Sequence, residues 1–310
     1  MAELRFDGRT AIVTGAGGNP SLGRAHAMLL ASRGANVVIN DVGSVPEMRH
    51  HPGVASADAV VAEIRAAGGT AVADTHSVAT PEGAEAIIRT ALDSFGSVDI
   101  LVNNAAISIG AAFDELSARD FQRHIDVNLM GSVWCSRAAW PHMKARGYGR
   151  IVNITSGSMT GFANQSAYCV SKGGAWSLTR ALAAEGAALG IKVNAVSPGA
   201  FTRLVSSTLE DDSPLLQHSK EHLPAEICSP AVAFLAHESC PVNGECIDSV
   251  GGTVQRTFIG RTAGFTDPDL TIEAVAERWD EVMAQQGAET VGIADMDTSE
   301  WKFRPYETAR

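Results

Sequence analysis

Two kinds of apolar patterning alternate along the chain. Short continuous runs predict strands: Arg9-Thr-Ala-Ile-Val-Thr14, Ala35-Asn-Val-Val-Ile-Asn40, Ala71-Val-Ala-Asp74, Val98-Asp-Ile-Leu-Val-Asn103, Arg150-Ile-Val-Asn-Ile-Thr155, Ile191-Lys-Val-Asn-Ala-Val196 and Glu245-Cys-Ile-Asp248. Between them, apolar residues recur every three or four positions, which predicts helices. One follows Arg24, one covers Asp58 to Ala67, and one starts at Pro81 with Ala84, Ile87, Ile88, Ala91 and Leu92 on one face. A long helix is expected from roughly Ala118 to Arg146, another from Tyr168 to about Leu189, and a short one from Pro230 to His237. No internal repeat or low-complexity linker interrupts this order. Strict alternation of the two elements predicts an α/β domain, a doubly wound parallel sheet of about seven strands with helices on both faces.

The order breaks at Ser197-Pro-Gly-Ala-Phe-Thr202, and a polar segment follows. Residues of about 199–225 suit a mobile lid. The main domain is expected to span 1–252, and 253–310 to form an extension packed on it or at a dimer contact. In that extension Ile272, Val275, Ala276, Trp279, Val282 and Met283 make an apolar stripe at helical spacing. The tail after it reads as irregular, pinned by Trp301, Phe303 and Tyr306.

Composition narrows the classes of function. At 310 residues, 45% of them apolar, the chain can bury a sizeable core. A net charge of −11 argues against nucleic acid and anionic membrane surfaces as partners. No apolar run approaches the ~20 residues that cross a bilayer, and the N-terminus lacks the apolar core of a signal peptide. The five cysteines are odd in number and show no Cys-x-x-Cys spacing, which suits buried thiols in a reducing, cytoplasmic compartment. Adjacent His50 and His51 point different ways in most backbones, so no metal site is expected.

Candidate chemistry gathers at the ends of the predicted strands. After the first comes Thr14-Gly15-Ala-Gly17-Gly-Asn-Pro-Ser21-Leu22-Gly23 and then a helix, an arrangement in which backbone amides and the helix dipole favour a pyrophosphate. Asp41 ends the second strand, eighteen residues beyond Gly23, where a carboxylate can bond both hydroxyls of an adenosine ribose and repel a 2′-phosphate. That favours NAD over NADP. Asn104 and Ala105 follow the fourth strand and leave room for a cofactor ring. Asn128 stands inside a predicted helix, a poor place for asparagine unless its side chain is used. Tyr168 and Lys172 are four apart, hence on one helix face, where an ammonium stabilises a phenolate. Ser156, arriving from a loop after the fifth strand, can hold a substrate oxygen while Tyr168 moves the proton.

Taken together, these residues resemble the short-chain dehydrogenase/reductase family over about residues 6–252. Thr14, Gly15 and Gly23 match its cofactor loop, with Asn19-Pro20 lengthening the loop and Ser21 where a middle glycine is usual. Asn103-Asn104-Ala105 matches its Asn-Asn-Ala-Gly segment, with Ala106 replacing the glycine, and Pro198, Gly199 and Thr202 match the part that closes over the nicotinamide. The family's serine lies thirteen residues before its tyrosine. Here Ser156 lies twelve before Tyr168 and Thr155 thirteen. Ser156 is preferred, and Thr155 and Ser158 stay open. The resemblance implies a Rossmann-type fold, a secondary alcohol or its ketone as substrate, and Asn128, Ser156, Tyr168 and Lys172 as the catalytic set. It further implies an NAD site including Gly15, Gly17, Ser21, Leu22, Gly23, Asp41, Asn104, Ala105, Tyr168, Lys172, Pro198, Gly199 and Thr202, no metal, and a homodimer or homotetramer.

The segment Phe234-Leu-Ala-His-Glu-Ser-Cys240, with Asn243-Gly244 and Gly251, resembles the family's (R)-3-hydroxyacyl-CoA dehydrogenase branch, found in peroxisomal multifunctional enzyme type 2 and in stand-alone bacterial relatives. This implies a hydroxyacyl-CoA or hydroxysteroid-like substrate. His76 stands where that branch carries an aspartate for the adenine. A small alicyclic or aromatic alcohol, and a non-catalytic NAD sensor on the same fold, are the alternatives.

Overall fold

Successive strand residues point to opposite faces of a sheet, and here both faces are covered, so both sets are apolar. The computed structural model describes residues 3–43, 56–208 and 212–293. Its strands are β1 (Thr10–Thr14), β2 (Asn36–Asn40), β3 (Thr70–Asp74), β4 (Ile100–Asn103), β5 (Gly149–Ile154), β6 (Ile191–Gly199), β7 (Cys246–Val250) and β8 (Thr253–Thr257). They form one sheet in the order β3-β2-β1-β4-β5-β6-β7-β8. Every pairing from β3 to β7 is parallel.

The first seven strands are those the pattern predicts. The eighth follows from Gly251 and Gly252, both at positive φ, which turn the chain back in two residues. Strand β6 also runs further than expected, through Pro198, which faces Ser249 at the strand's end. There the missing N–H leaves only the last rungs of the ladder affected.

One face of the sheet carries α1 (Leu22–Ser32), α2 (Ala57–Ala66) and α9 (Ser229–Ala236). The other carries α3 (Pro81–Phe95), α5 (Gly131–Arg146) and α6 (Ser166–Gly186). Alternation along the strands divides the core accordingly. Val13, Val37, Ile39, Ile100 and Val102 pack with Leu30, Ile64 and Leu235, whereas Ile12, Val38 and Leu101 pack with Ile87 and Met143. A one-residue register slip would exchange the two sets, so the pairing is strongly specified.

The long helix expected over 118–146 is three pieces: α4 (Ala118–His124), one π-helical turn over Ile125–Met130, and α5. The polar segment after β6 contains α7 (Arg203–Thr208) and α8 (Pro214–His222). Among the described residues no helix is long and apolar enough to cross a membrane.

The chain divides into two compact units, Met1–Arg256 and Thr257–Arg310. In the second, β9 (Gly260–Arg261) pairs antiparallel with β10 (Glu289–Thr290). The apolar stripe there forms two short helices, α10 (Ile272–Glu277) and α11 (Trp279–Met283), broken at Arg278. The Arg278 guanidinium lies 4.0 Å over the Phe265 ring and pairs with Glu281. Ile272, Trp279 and Met283 are all more than half exposed. His50, His51, Trp301, Phe303 and Tyr306 lie outside the described residues.

Helix α1 packs on α9 through His26, which is fully buried with Nδ1 2.9 Å from Ser229 Oγ. Burial pushes its pKa down to about 3. Between about 3 and its ordinary value near 6.5 the unfolded chain therefore binds a proton that the folded chain refuses, and stability falls as pH falls through that window. Urea unfolding from pH 7 to pH 4 should show a loss approaching ~1.4 kcal/mol per pH unit from this group alone. His26→Gln, which keeps a partner for Ser229, should flatten the slope by that amount.

Candidate active site

In this strand order the connections from β1 and β4 leave toward opposite faces. The carboxyl ends of those two strands therefore border an open crevice, the usual ligand position of a doubly wound sheet. A cavity of about 240 Å³ lies there. One wall is the glycine-rich turn and the start of α1. Ser21 caps that helix, its Oγ accepting from the Arg24 amide at 3.1 Å and donating to the Gly18 carbonyl at 2.9 Å. That use of a side chain is what replaces the usual middle glycine. Gly15, Ser21 and Leu22 line the cavity.

The turn is locked to β4. The Asn104 side-chain amide donates to the Thr14 and Gly15 carbonyls at 2.8 and 3.0 Å, and the Asn104 and Ala105 amides both donate to Thr14 Oγ1 at 3.0 Å. Gly23 must be glycine here, because a Cβ would come within 2.5 Å of the Gly15 carbonyl oxygen and 2.6 Å of Asn104 Nδ2. Gly15 has φ +64°, and a Cβ on it would come within 2.7 Å of Ala105 Cα.

Asp41 sits at the cavity edge with one carboxylate oxygen on the Gly17 amide and the other on the Gly43 amide, each at 2.8 Å. Each oxygen keeps a lone pair for a further donor. Gly17 thus contributes through Asp41, and a Cβ on it would meet the Asp41 side chain at 2.8 Å. His76 does not line the cavity. Its Nδ1 lies 3.0 Å from Asp74, whose burial is outweighed by hydrogen bonds from His76, Thr90 and Asn40 that hold it below the ordinary carboxylate range.

The opposite wall carries Ser156, Tyr168 and Lys172. Thr155 lines the cavity as well, and the three candidate hydroxyls differ in their hydrogen bonds. Thr155 is buried and donates to the Val196 carbonyl at 3.0 Å, and Ser158 donates to Gln165 at 3.0 Å. Ser156 Oγ accepts from the Ser158 amide at 3.2 Å, and its hydrogen bond to Tyr168 acts to lower that phenol's pKa. Burial acts more strongly and pushes Tyr168 up to about 12. Burial also pushes Lys172 down to about 8, and its Nζ donates to the Ile154 carbonyl at 2.7 Å, 5.6 Å from the Tyr168 ring centre. At neutral pH the pair therefore stands as phenol and ammonium. The four-residue spacing suggested a lowered phenol, and burial, which raises the cost of the phenolate, reverses that direction. Pro198, Gly199 and Thr202 close the cavity above.

Asn128 does not reach the cavity. Its side chain accepts from the Ile107 amide at 2.8 Å and donates to the Ile107 carbonyl at 2.9 Å and to Ser171 at 3.1 Å. It pins the segment after β4 to α6, and the π-helical turn turns it toward that segment. His124 pins the same segment. Its Nδ1–H donates to the Asp120 carbonyl at 2.7 Å, so Nε2 is the acceptor for the Ile109 amide at 3.0 Å. Burial lowers its pKa, which keeps the ring neutral and able to accept. His124 was missed in the sequence because a lone histidine in a helical pattern carries no signal. Its position four residues before Asn128 was the available hint.

The family model described as short chain dehydrogenase matches residues 9–213. The chain is 40% identical over 286 residues to peroxisomal multifunctional enzyme type 2 of Mus musculus, covering 91% of this chain and 37% of that protein. It thus spans little more than a third of the mouse protein's length. Against a short-chain type dehydrogenase/reductase of Mycobacterium tuberculosis it is 41% identical, covering 92% of this chain and 97% of that one. The crystal structure of a short chain dehydrogenase from Mycobacterium avium superposes with a TM-score of 0.74 at 35% identity, over 89% of this chain and 96% of the other.

Removing the Asn128 side chain strands the Ile107 amide, the Ile107 carbonyl and Ser171. Asn128→Ala should therefore accelerate amide exchange at Ile107 by about tenfold or more, with exchange in β1 and β2 changed far less. Hydrogen exchange read by mass spectrometry checks this.

Proposed function

The chain belongs to the short-chain dehydrogenase family, and we propose that it is an NAD-dependent enzyme interconverting a secondary alcohol and a ketone, with a 3-hydroxyacyl-CoA thioester as the substrate class. One observation carries the reading: Ser156, Tyr168 and Lys172 face, across one cavity, the glycine-rich turn, Asp41 and Asn104. The residues suit a dinucleotide. A helix start and closely packed glycines offer backbone amides to a pyrophosphate, and Asp41 retains acceptor capacity for ribose hydroxyls. The resemblance to peroxisomal multifunctional enzyme type 2 supports the thioester.

When bound, the oxidised nicotinamide supplies the hydride acceptor and a positive charge that lowers the phenol's pKa. The protein's part is the proton. Ser156 Oγ donates to the substrate oxygen and orients it. In alcohol oxidation the Tyr168 phenolate takes the hydroxyl proton as the carbon gives up hydride, leaving a ketone and a phenol. In ketone reduction the Tyr168 phenol returns that proton to the oxygen. Lys172, an ammonium below about pH 8, holds the nicotinamide ribose and favours the phenolate. Asn128 and His124 act as positioning residues that hold the segment following Ala106 in place. A homodimer or homotetramer joined through α5 and α6 accompanies this reading; half-buried Trp134, Trp140, Leu178 and Leu182 are on those helices.

Tyr168→Phe should lower kcat by about a hundredfold or more while NADH affinity, read by fluorescence, changes less than about threefold. Turnover near wild type would remove Tyr168 from the mechanism. Because the phenol lies well above neutral, oxidation should quicken with rising pH and reduction should hold through neutral pH and fall in strong alkali. Asp41→Ala should lower the ratio of kcat/KM for NAD over NADP by about tenfold or more, in steady-state rates with either cofactor.

A further inference from the structure

The lid begins with a charge that nothing in the main site explains. Arg203, the first residue of α7, is only 7% exposed. Its Nε has no hydrogen-bond partner, and among the described residues no carboxylate pairs with it. The contrast with Arg24, on the other side of the same turn, is direct, for Arg24 pairs with both Glu63 and Glu226. A guanidinium cannot shed its proton to escape burial, so an unmatched one is costly unless an anion completes it.

The backbone says where that anion lies. The Arg203 amide donates to the Pro20 carbonyl at 3.2 Å, so the lid's first residue is fastened to the residue pair that lengthens the glycine-rich turn. The side chain then lies along the turn, with Cδ 3.6 Å from the point a Cβ on Gly18 would occupy. Arg203 lines the cavity together with Gly18 and with Ser21, the N-cap of α1.

We propose that Arg203 binds the pyrophosphate of the dinucleotide, and that the Asn19-Pro20 extension exists to dock the lid so that this arginine reaches it. The proposal rests on the dinucleotide reading above. Two phosphate sources are available to such a residue, the cofactor and a CoA thioester. The contacts with Pro20 and Gly18 favour the cofactor, because they hold Arg203 against the phosphate-binding turn.

The test is a titration of the full chain with NADH and with ADP-ribose, which shares the pyrophosphate but lacks the nicotinamide. Wild type, Arg203→Met and Arg203→Lys are compared, with thermal melting as a check on folding. Arg203→Met should weaken both ligands by about tenfold or more and flatten the salt dependence of NADH binding, and Arg203→Lys should restore part of the loss. NADH affinity unchanged in Arg203→Met overturns the proposal. So does an unchanged NADH affinity with a raised KM for a CoA thioester, which assigns the arginine to the substrate's phosphates. A loss that Arg203→Lys does not relieve, with the salt dependence retained, overturns it as well, since that is a packing effect. Failure of the wild type to bind NADH or NADPH is a distinct result, and it removes the dinucleotide reading together with this one.

Discussion

Strands β1 and β4 are hydrogen-bonded neighbours whose connections part to opposite faces, and the crevice this opens is the constraint on which the rest of the site depends. The pairing brings Thr14 beside Asn104, and their hydrogen bonds hold the glycine-rich turn against the end of β4. The register of β4 with β5 and of β5 with β6 then delivers Ser156 and Pro198 to the same end of the sheet. Slip any of these by one residue and the apolar faces exchange, so the energy that specifies the core also specifies the site. Asp41, at the end of β2, is positioned by the same logic through β1.

Around that crevice the protein spends buried polar groups where a simpler core would have none. Tyr168 and Lys172 are both moved by burial toward their neutral forms, in opposite directions on the pH scale. The shifts bring a proton donor and an ammonium to the same neutral window, a suitable starting point for reduction and one that a nearby cation can turn toward oxidation. His124 must stay neutral to accept from Ile109, and its burial keeps it so. Arg203, buried at the cavity's edge with its Nε unpartnered, is the contrasting case, since the others are satisfied within the protein.

Much of this was legible in the residues because it follows period and spacing. The seven parallel strands are short apolar runs between helical patterns, and Tyr168 and Lys172 share a helix face whatever surrounds them. The choice of Ser156 over Thr155 was not settled by counting from Tyr168, since the shortened loop put the two in competition. In the structure both line the cavity, but Thr155 commits its hydroxyl to the Val196 carbonyl. The π-helical turn at Asn128 could not be read, because it lasts a single turn and a phase shift in the apolar pattern that brief does not stand out from ordinary irregularity. The second unit's stripe predicted one helix, but Arg278 is drawn to Phe265 and Glu281, and the stripe forms two. Arg203 was missed for a plainer reason: an arginine after a threonine in a polar segment reads as solvated until its burial is known.

The central claim is that this cavity transfers hydride between a secondary alcohol and NAD. The most direct measurement follows NADH absorbance as the purified protein and NAD meet (R)- and (S)-3-hydroxyacyl-CoA thioesters, hydroxysteroids and simple alicyclic alcohols. The account predicts NADH formation with the (R)-thioester, faster with NAD than with NADP. Bound NADH without turnover of any of these alcohols, in either direction, would contradict it.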